Sequence, residues 1–406
     1  MPMPTFVVIG AGQAASQAVA TLRQDGFDGD VVVVGDEPQV PYQRPPLSKQ
    51  YLSGEHGLDR LYLRPAKFYD DRHILLKLGV RATAIDRNAK QVMLDTGEAM
   101  AYDRLLLATG SRPRRLSLEG ADLAGVGYLR TVADVDAIRH MMAPGKRLVI
   151  VGGGYIGLEV AAVAATAGLS VTVLEMEDRI LKRVTTATMS AFYETLHRER
   201  GVAVVTSALV SRFEGSQHVE SVVCADGSRF PADLAIVGIG IVPNVELAAA
   251  AGLDCANGIV VDEHCRTSDP DIFAAGDCTD HPNPLLGRRL RLESVPNAME
   301  QGRVAAANMM GNEKVYATVP WFWSDQYELK LQMVGFSAGC DEQVIRGDME
   351  SRQFAIFYLK GAVVVAVDAV NSPKEFIACR QMVHKGRAVD PARLADPAAS
   401  LKELLG

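Results

Sequence analysis

Short, uninterrupted runs of apolar and β-branched residues recur along the first part of the chain. Residues 5–9 (TFVVI) and 31–34 (VVVV) are two such runs, and each is typical of a strand buried on both faces of a parallel sheet. A glycine turn and a helical pattern from Gln13 to about Gln24 lie between them. The order of strand, turn, helix and strand predicts a βαβ unit.

The same order of elements occurs a second time. Residues 147–151 (RLVIV) predict a strand, which is followed by a glycine turn and a helical run through Ala167. Gly168 is placed to end that helix, because glycine tolerates the left-handed conformation common at helix C-termini. Residues 170–174 (SVTVL) predict the next strand. The chain therefore contains an internal duplication of a mononucleotide-binding unit.

The pattern changes after residue 316. Residues 354–359 and 363–367 read as antiparallel strands joined by a polar turn at Lys360 and Gly361. A helix is predicted from about Lys374 to Lys385. The fold class is therefore α/β, with two Rossmann-like dinucleotide-binding domains followed by a C-terminal α+β domain.

Composition excludes several classes of function. A chain of 406 residues suggests two or three domains. The net charge of -7, from 42 basic and 49 acidic residues, disfavours a nucleic-acid binder, which would need a basic face. We see no apolar run long enough to span a membrane and no signal-like segment at the N-terminus. Six scattered cysteines without a zinc-like spacing predict a reducing, cytoplasmic setting and no metal site.

Both glycine turns carry a dinucleotide fingerprint between a strand and a helix. The first position makes the tight turn, the second lets backbone approach a pyrophosphate, and the third must be small so that helix and strand pack closely. The three positions hold Gly10, Gly12 and Ala15 in the first copy and Gly152, Gly154 and Gly157 in the second. Two unrelated glycine turns are the alternative, but the duplicated context favours two nucleotide sites.

Acidic residues follow the second strand of each copy and indicate which nucleotide binds. Asp36 or Glu37 would hold the ribose of one nucleotide, and Glu175 that of the other. Residues 177–178 are also acidic, so a 2′-phosphate would meet like charges. We therefore expect the second site to prefer NADH. Arg179 could reach a phosphate, although local pairing with Glu175 or Glu177 is the expectation.

Several further segments carry a resemblance to a known family. They are residues 41–49 (PYQRPPLSK), 108–110 (ATG), 267–270 (TSDP), 275–277 (AGD), 293–298 (ESVPNA) and 320–326 (PWFWSDQ). The chain resembles, essentially from end to end, the NADH-dependent ferredoxin reductases of the glutathione-reductase-like flavoprotein class. The resemblance implies an FAD domain at 1–112 and 244–316, an NADH domain at 113–243 and a C-terminal domain at 317–406.

The resemblance also implies a set of cofactor-binding residues. For FAD they are Gly10, Gly12, Ala14, Asp36, Arg44, Lys49, Ala82, Arg130, Asp277 and Val295. For NADH they are Gly152, Gly154, Ile156, Gly157, Glu175 and Gly240. Asp277 would bind the ribitol chain. Pro296 fits the first turn of a helix over 297–309, whose N-terminus would stabilise the reduced flavin.

The implied activity is transfer of electrons from NADH, through FAD, to a [2Fe-2S] ferredoxin. That ferredoxin would dock transiently and supply a haem monooxygenase or a ring-hydroxylating dioxygenase, and the reductase would be a monomer or weak homodimer. Arg64 and Arg303 are candidates for contacting an acidic ferredoxin, and ordinary solvated surface charge is the alternative. No sequence feature identifies the ferredoxin.

Three residues are expected to act at the flavin. Lys49 would lie beside the flavin N5 and pair with Glu159, orienting the nicotinamide; the alternatives are a solvated cap and a first-turn acid complementing the helix dipole. Trp321 and Trp323 lie on one face if their segment is extended. Trp323 would cover the flavin, and core packing is the alternative.

Related flavoproteins offer rival functions. Disulfide reductases need a cysteine pair, and NADH oxidases and peroxidases a single cysteine, near residues 45–48, yet the first cysteine is Cys224. An NADH-sensing protein resembling apoptosis-inducing factor shares the PPLSK segment, but the missing targeting segment and the acidic charge argue against it. Rubredoxin reductase is a closer rival that the sequence hardly separates.

Overall fold

The computed structural model describes residues 3–404. The strands are β1 Thr5–Ile9, β2 Asp30–Gly35, β3 Ile74–Leu78, β4 Ala82–Asp86, β5 Gln91–Leu94, β6 Ala99–Ala101, β7 Arg104–Leu107, β8 Ser111–Pro113, β9 Val126–Tyr128, β10 Arg147–Val151, β11 Ser170–Leu174, β12 Ala203–Val205, β13 Val210–Glu214, β14 Ser221–Cys224, β15 Arg229–Pro231, β16 Leu234–Val237, β17 Ile241–Pro243, β18 Ile259–Val260, β19 Ile272–Ala274, β20 Thr279–Asn283, β21 Arg288–Leu290, β22 Trp321–Gln326, β23 Leu329–Gly335, β24 Glu342–Asp348, β25 Gln353–Lys360 and β26 Val363–Val370. The helices are α1 Gln13–Gln24, α2 Gln50–Ser53, α3 Ala66–Asp71, α4 Val132–Met141, α5 Tyr155–Thr166, α6 Ala187–Glu199, α7 Glu246–Ala250, α8 Val295–Met309, α9 Pro373–Lys385, α10 Pro391–Ala395 and α11 Leu401–Leu404, with short 3-10 helices at Pro45–Ser48 and Leu58–Arg60.

The chain divides into two compact units. Within the described residues, the first unit holds 3–43, 58–112 and 241–320, and the second holds 44–57, 113–240 and 321–404. The first unit is therefore discontinuous in sequence. The three-domain boundaries expected from the sequence stay a prediction.

A parallel sheet in the order β19-β7-β1-β2-β3 forms the core of the first unit. The side chains of its central strand, β1, point alternately into two hydrophobic clusters. Val8 lies in one cluster and Val7 in the other, and both residues are fully buried. Helices α1 and α8 contribute to the first of these clusters. Burial on both faces explains why the strand is apolar at every position.

The second unit contains a matching parallel sheet in the order β12-β11-β10-β16-β9. Strand β10 and helix α5 take the places that β1 and α1 occupy in the first unit. Gly168 has φ 82, as expected of a glycine just beyond a helix end. The duplicated Rossmann-like unit predicted from the sequence is confirmed.

The C-terminal part of the second unit is an antiparallel sheet in the order β22-β23-β26-β25-β24. A two-residue turn at Gly361 and Ala362 joins β25 to β26, one residue later than predicted, because Lys360 still pairs with Val363 in the sheet. Helix α9 packs its residues Phe376 and Cys379 inward. The predicted α+β domain is confirmed. Across residues 3–404, no helix is both long and apolar enough to cross a membrane.

Candidate active site

The first glycine of each fingerprint makes the same close approach to a neighbouring strand end. Gly10 has φ 108 and Gly152 has φ 110, a backbone region that side-chain-bearing residues rarely adopt. A Cβ on Gly10 would lie 2.1 Å from the carbonyl oxygen of Ala108, and one on Gly152 would lie 2.4 Å from that of Gly238. Only glycine fits either turn.

The second glycine of each fingerprint is the N-cap of a helix. Gly12 caps α1 and Gly154 caps α5, and neither cap has a side chain bonded to the first-turn amides. A Cβ on either glycine would meet no atom of residues 3–404 within 4 Å. Space and amide donors at a helix N-terminus suit an anionic pyrophosphate, so both turns fit a dinucleotide.

The third position closes each helix onto its strand. A Cβ on Gly157 would lie 2.3 Å from the carbonyl oxygen of Gly152, so only glycine fits. The first copy tolerates Ala15, which is fully buried. Ala14, beside it, lies against α8, since a Cβ on Gly302 would meet the Ala14 carbonyl oxygen at 2.5 Å.

The acid of the second copy lies directly against its glycine turn. The amide of Gly153 donates to Glu175 Oε2 at 2.7 Å, and the amide of Glu177 donates to Glu175 Oε1 at 2.9 Å. In a charge-assisted bond of this kind the carboxylate is held in one place. Glu175 is thus fixed beside the turn where a ribose would bind.

In the first copy of the unit, the acidic residue lies one position later in the chain than in the second copy. Ile9 pairs with Val34 as Val151 pairs with Leu174, so the position matching Glu175 is Gly35, not an acid. Asp36 follows as an exposed residue and forms an ion pair with Arg81 at 3.2 Å. The Tyr42 hydroxyl donates to Glu37 at 2.5 Å. Asp36 has the more accessible carboxylate of the two candidate acids.

A cavity of about 320 Å³ adjoins the second glycine turn. It is lined by Arg114, Leu116, Val151, Gly152, Gly153, Gly154, Leu174, Glu175, Met176, Glu177, Leu181, Lys182, Arg183, Val184, Ala208, Leu209, Val210, Gly238 and Ile239. Gly240, with φ 99, follows the lining segment, and a Cβ there would lie 3.6 Å from the Arg183 guanidinium. Ile156 is 44% exposed at the start of α5.

The expected pairing of Arg179 with Glu175 or Glu177 is wrong. The Arg179 guanidinium donates to Ser190 Oγ at 2.5 Å and to the carbonyl oxygens of Lys182 and Thr185. Lys182 takes the ionic role instead, at 2.9 Å from Glu177. The arginine is used to hold the loop after β11, because its planar fork can bond several carbonyls at once.

Residues of the first unit gather near the start of α8. Ser294 caps that helix by accepting from the amide of Asn297, and Pro296 lies in the first turn as predicted. Val295 begins the helix. Asp277 accepts a hydrogen bond of 2.8 Å from the Ser111 hydroxyl.

A buried ion pair joins Lys49 to Glu159 in the second unit. Lys49 Nζ lies 2.6 Å from Glu159 Oε2, with side-chain exposures of 10% and 4%. Ser48 donates to the same oxygen at 2.5 Å, and Ser324 donates to Glu159 Oε1 at 2.7 Å. The expected pairing of Lys49 with Glu159 is thus observed, and the solvated cap is wrong for Lys49.

The remaining predicted residues have simpler surroundings. Arg44 donates to the carbonyl oxygen of Arg130 at 2.7 Å in the second unit, and Ala82 begins β4 in the first. The rings of Trp321 and Trp323 lie 5.6 Å apart, which confirms that they share a face. Of the two docking candidates, Arg303 forms an ion pair with Glu300, and Arg64 stacks on Phe68 at 4.8 Å.

The polar residues around Glu159 were not predicted from the sequence. Ser48 and Ser324 stand inside segments that carry the family resemblance, so their positions offered a signal. Gln326 and His197 extend the same network: Gln326 donates to Ser324 Oγ at 3.2 Å, and His197 Nε2 lies 2.8 Å from Gln326 Oε1. No local pattern marks His197, because its partner lies 129 residues away in the chain.

Comparisons with known proteins agree with this geometry. Residues 4–302 match the family described as pyridine nucleotide-disulphide oxidoreductase, and residues 321–405 match the reductase C-terminal family. The chain is 47% identical to putidaredoxin reductase CamA of Pseudomonas putida, covering 98% of this chain and 96% of that one. It is 44% identical, over the full length of both chains, to the ferredoxin–NAD(+) reductase component of the anthranilate 1,2-dioxygenase system of Burkholderia cepacia. In the crystal structure of the covalent putidaredoxin reductase–putidaredoxin complex, a chain 46% identical matches with a TM-score of 0.96, covering 100% of this chain and 99% of that one.

Proposed function

The chain belongs to the pyridine nucleotide-disulphide oxidoreductase family, and from that premise we propose that it is an FAD-dependent ferredoxin reductase. It takes electrons from NADH and passes them to a [2Fe-2S] ferredoxin of an oxygenase system. The observation that carries this proposal is the pair of matching dinucleotide turns in this chain, at Gly10 and Gly152. The relatives to which the chain is similar over nearly its full length are named as reductases of this kind.

The first unit is the place for FAD. The turn at Gly10 and the amides of α1 would hold the pyrophosphate, Asp36 the adenine ribose and Asp277 the ribitol chain. When bound, FAD supplies the redox chemistry, because a flavin accepts a hydride from NADH and can release the two electrons singly. The N-terminus of α8, where the helix dipole is positive, is suited to a developing negative charge.

The cavity beside Gly152 is the place for NADH. Glu175, fixed by the amide of Gly153, accepts hydrogen bonds from the adenine ribose hydroxyls. Glu177 lines the same cavity, so a 2′-phosphate would bring two more negative charges against two carboxylates. NADH is therefore the preferred donor.

Lys49 and Glu159 orient the nicotinamide for hydride transfer. Their ion pair is buried, and two serine hydroxyls satisfy the remaining carboxylate positions. A buried charge that is paired and hydrogen-bonded keeps a defined position, which transfer over a short distance requires.

Chemistry on a disulfide is the function that the family description would otherwise suggest. It requires a redox-active cysteine beside the flavin, and the segment that carries it in such enzymes is Pro45–Ser48 here. The first cysteine of the chain is Cys224, which is buried. The electrons therefore leave to an external acceptor.

The proposal is tested by two measurements on the purified protein. The first adds NADH or NADPH without air and follows bleaching of the flavin; NADH should bleach it fast, and NADPH far more slowly. The second follows cytochrome c reduction with a panel of [2Fe-2S] ferredoxins and a rubredoxin. Turnover that depends on a [2Fe-2S] ferredoxin supports the proposal.

Other outcomes would contradict it. A protein that holds no flavin, or a flavin that NADH does not bleach, would exclude a reductase. Dependence on rubredoxin alone would identify a rubredoxin reductase. Slow bleaching with no stimulation by any acceptor would favour NADH sensing. The cytoplasmic location and the monomeric or weakly dimeric state stay predictions.

A further inference from the structure

A line of buried polar side chains leads from Glu159 to the turn between β22 and β23. Ser324, Gln326 and His197 are at most 1% exposed, yet each has a hydrogen-bond partner on both sides. Beyond them the hydroxyl of Tyr327 lies 3.2 Å from His197 Nδ1. Buried polar groups that are all satisfied in one line are held in a unique arrangement.

The direction of every hydrogen bond in this line follows from the carboxylate. The ionised Glu159 can only accept, so the Ser324 hydroxyl must donate to it. The Ser324 oxygen then accepts from the amide nitrogen of Gln326, which leaves the Gln326 oxygen facing His197. His197 must carry its proton on Nε2, and its Nδ1 accepts from the Tyr327 hydroxyl.

Burial keeps His197 in the neutral form that this direction requires. Desolvation lowers the pKa of His197, and the hydrogen bond to Gln326 opposes that shift only in part. The ring also packs against Tyr327, with centroids 5.2 Å apart. Were the proton on Nδ1 instead, Gln326 would have to turn its amide, and Ser324 would donate to Gln326 and not to Glu159.

We propose that His197, Gln326 and Ser324 are positioning residues that hold the Glu159 carboxylate, and through it the ammonium of Lys49, in the orientation used for flavin reduction. This inference rests on the proposed function of the ion pair. Ser48 and Lys49 fix one carboxylate oxygen of Glu159 from the other side. Ser324 fixes the second oxygen, so loss of the line frees the carboxylate to rotate.

The test compares rates of flavin bleaching by NADH, without air, over a range of NADH concentrations. His197→Leu removes the Nε2 donor and should slow the limiting rate about fivefold, the usual effect of losing one neutral hydrogen bond. The NADH concentration for half-saturation should stay unchanged, because no residue of the line borders the nucleotide cavity. His197→Gln keeps an amide donor near the Nε2 position and should recover most of the rate.

Tyr193→Phe is the matched control. Tyr193 lies one turn earlier on α6 and is fully buried, and its hydroxyl has no hydrogen-bond partner among residues 3–404. It tests disturbance of the same helix without removing any hydrogen bond of the line, and its rate should equal that of the unmodified protein. If His197→Leu does not fold, Ser324→Ala breaks the line at its last step and should slow bleaching to a similar extent.

The outcomes separate this inference from the proposed function. Normal bleaching in His197→Leu or Ser324→Ala, together with slow bleaching in Glu159→Gln, would overturn the positioning role and leave the ion pair's role intact. Equal loss in His197→Leu, His197→Gln and Tyr193→Phe would show a packing effect and overturn it too. Normal bleaching in Glu159→Gln would overturn both.

Discussion

Asp368 gives the structure a carboxyl group whose protonation should be measurable as stability. It lies on β26, is 6% exposed, and its Oδ2 accepts from Thr185 at 2.6 Å and from Tyr358 at 2.7 Å. Burial raises the pKa of Asp368 from 3.8 to about 6, although these two hydrogen bonds oppose the shift. We expect Asp368→Asn to change how the free energy of unfolding depends on pH.

The sign follows from proton linkage. A carboxyl whose pKa is raised on folding binds its proton more tightly in the native state. The stabilisation it gives is complete below its unfolded pKa and is lost as the pH rises through the folded pKa. From the two pKa values, protonation favours the native state about tenfold at about pH 5 and hardly at all at about pH 8. The unmodified protein should therefore gain about 1.4 kcal/mol relative to Asp368→Asn on going from the higher to the lower pH.

The assay is urea unfolding at a series of pH values, followed by tryptophan fluorescence. The two tryptophans of the chain, Trp321 and Trp323, both lie on β22, in the same sheet as Asp368. The signal therefore reports on the part of the protein that is changed. Asp122→Asn, at an exposed carboxylate, controls for the loss of one surface charge.

A stability difference that does not change with pH would refute the reasoning. If the stabilities of the unmodified protein and of Asp368→Asn stay parallel to within about 0.3 kcal/mol across this range, the carboxyl does not titrate as its burial implies. A difference that grows with acidity in favour of the asparagine variant would show the opposite sign and refute it as well.

Three further predictions follow from single residues. Gly10→Ala should yield protein that lacks flavin and is destabilised, because its Cβ would lie 2.1 Å from the Ala108 carbonyl oxygen. Gly12→Ala should fold but bind FAD more weakly, because its Cβ would meet no atom of the described residues within 4 Å and would occupy space meant for the pyrophosphate. Absorbance of the bound flavin together with thermal melting distinguishes the two variants. Glu175→Gln should raise the KM for NADH about tenfold and narrow its advantage over NADPH, as steady-state kinetics with both donors would measure. Burial lowers the pKa of His281 from 6.5 to about 4, so its stabilisation is lost as the pH falls through that window. Between about pH 8 and about pH 5, the free energy of unfolding of His281→Phe should therefore fall by about 2 kcal/mol less than that of the unmodified protein. An equal fall in both proteins, measured by urea unfolding, would contradict this.

Local sequence determined the elements and much of their chemistry. The runs at 5–9, 147–151 and 170–174 form strands with the predicted ends, because short runs rich in apolar and β-branched residues suit strands buried on both faces of a parallel sheet. The glycine turns could also be predicted from the sequence. The conformation at Gly10 and Gly152 excludes every side chain, so glycine itself marks the turn. Both kinds of signal depend on neighbours in the chain, and a sequence displays those neighbours directly.

Tertiary structure decided which distant side chains meet. Arg179 could be assigned to the nearest acids by proximity in sequence, but the fold turns it toward backbone carbonyls. Nothing near His197 marks it as a partner of Gln326, and the bond between them joins α6 to the last residue of β22. The Lys49–Glu159 pair spans 110 residues and was expected only from family resemblance. Hydrogen bonds between distant residues are set by the packing of whole elements, which no local pattern encodes.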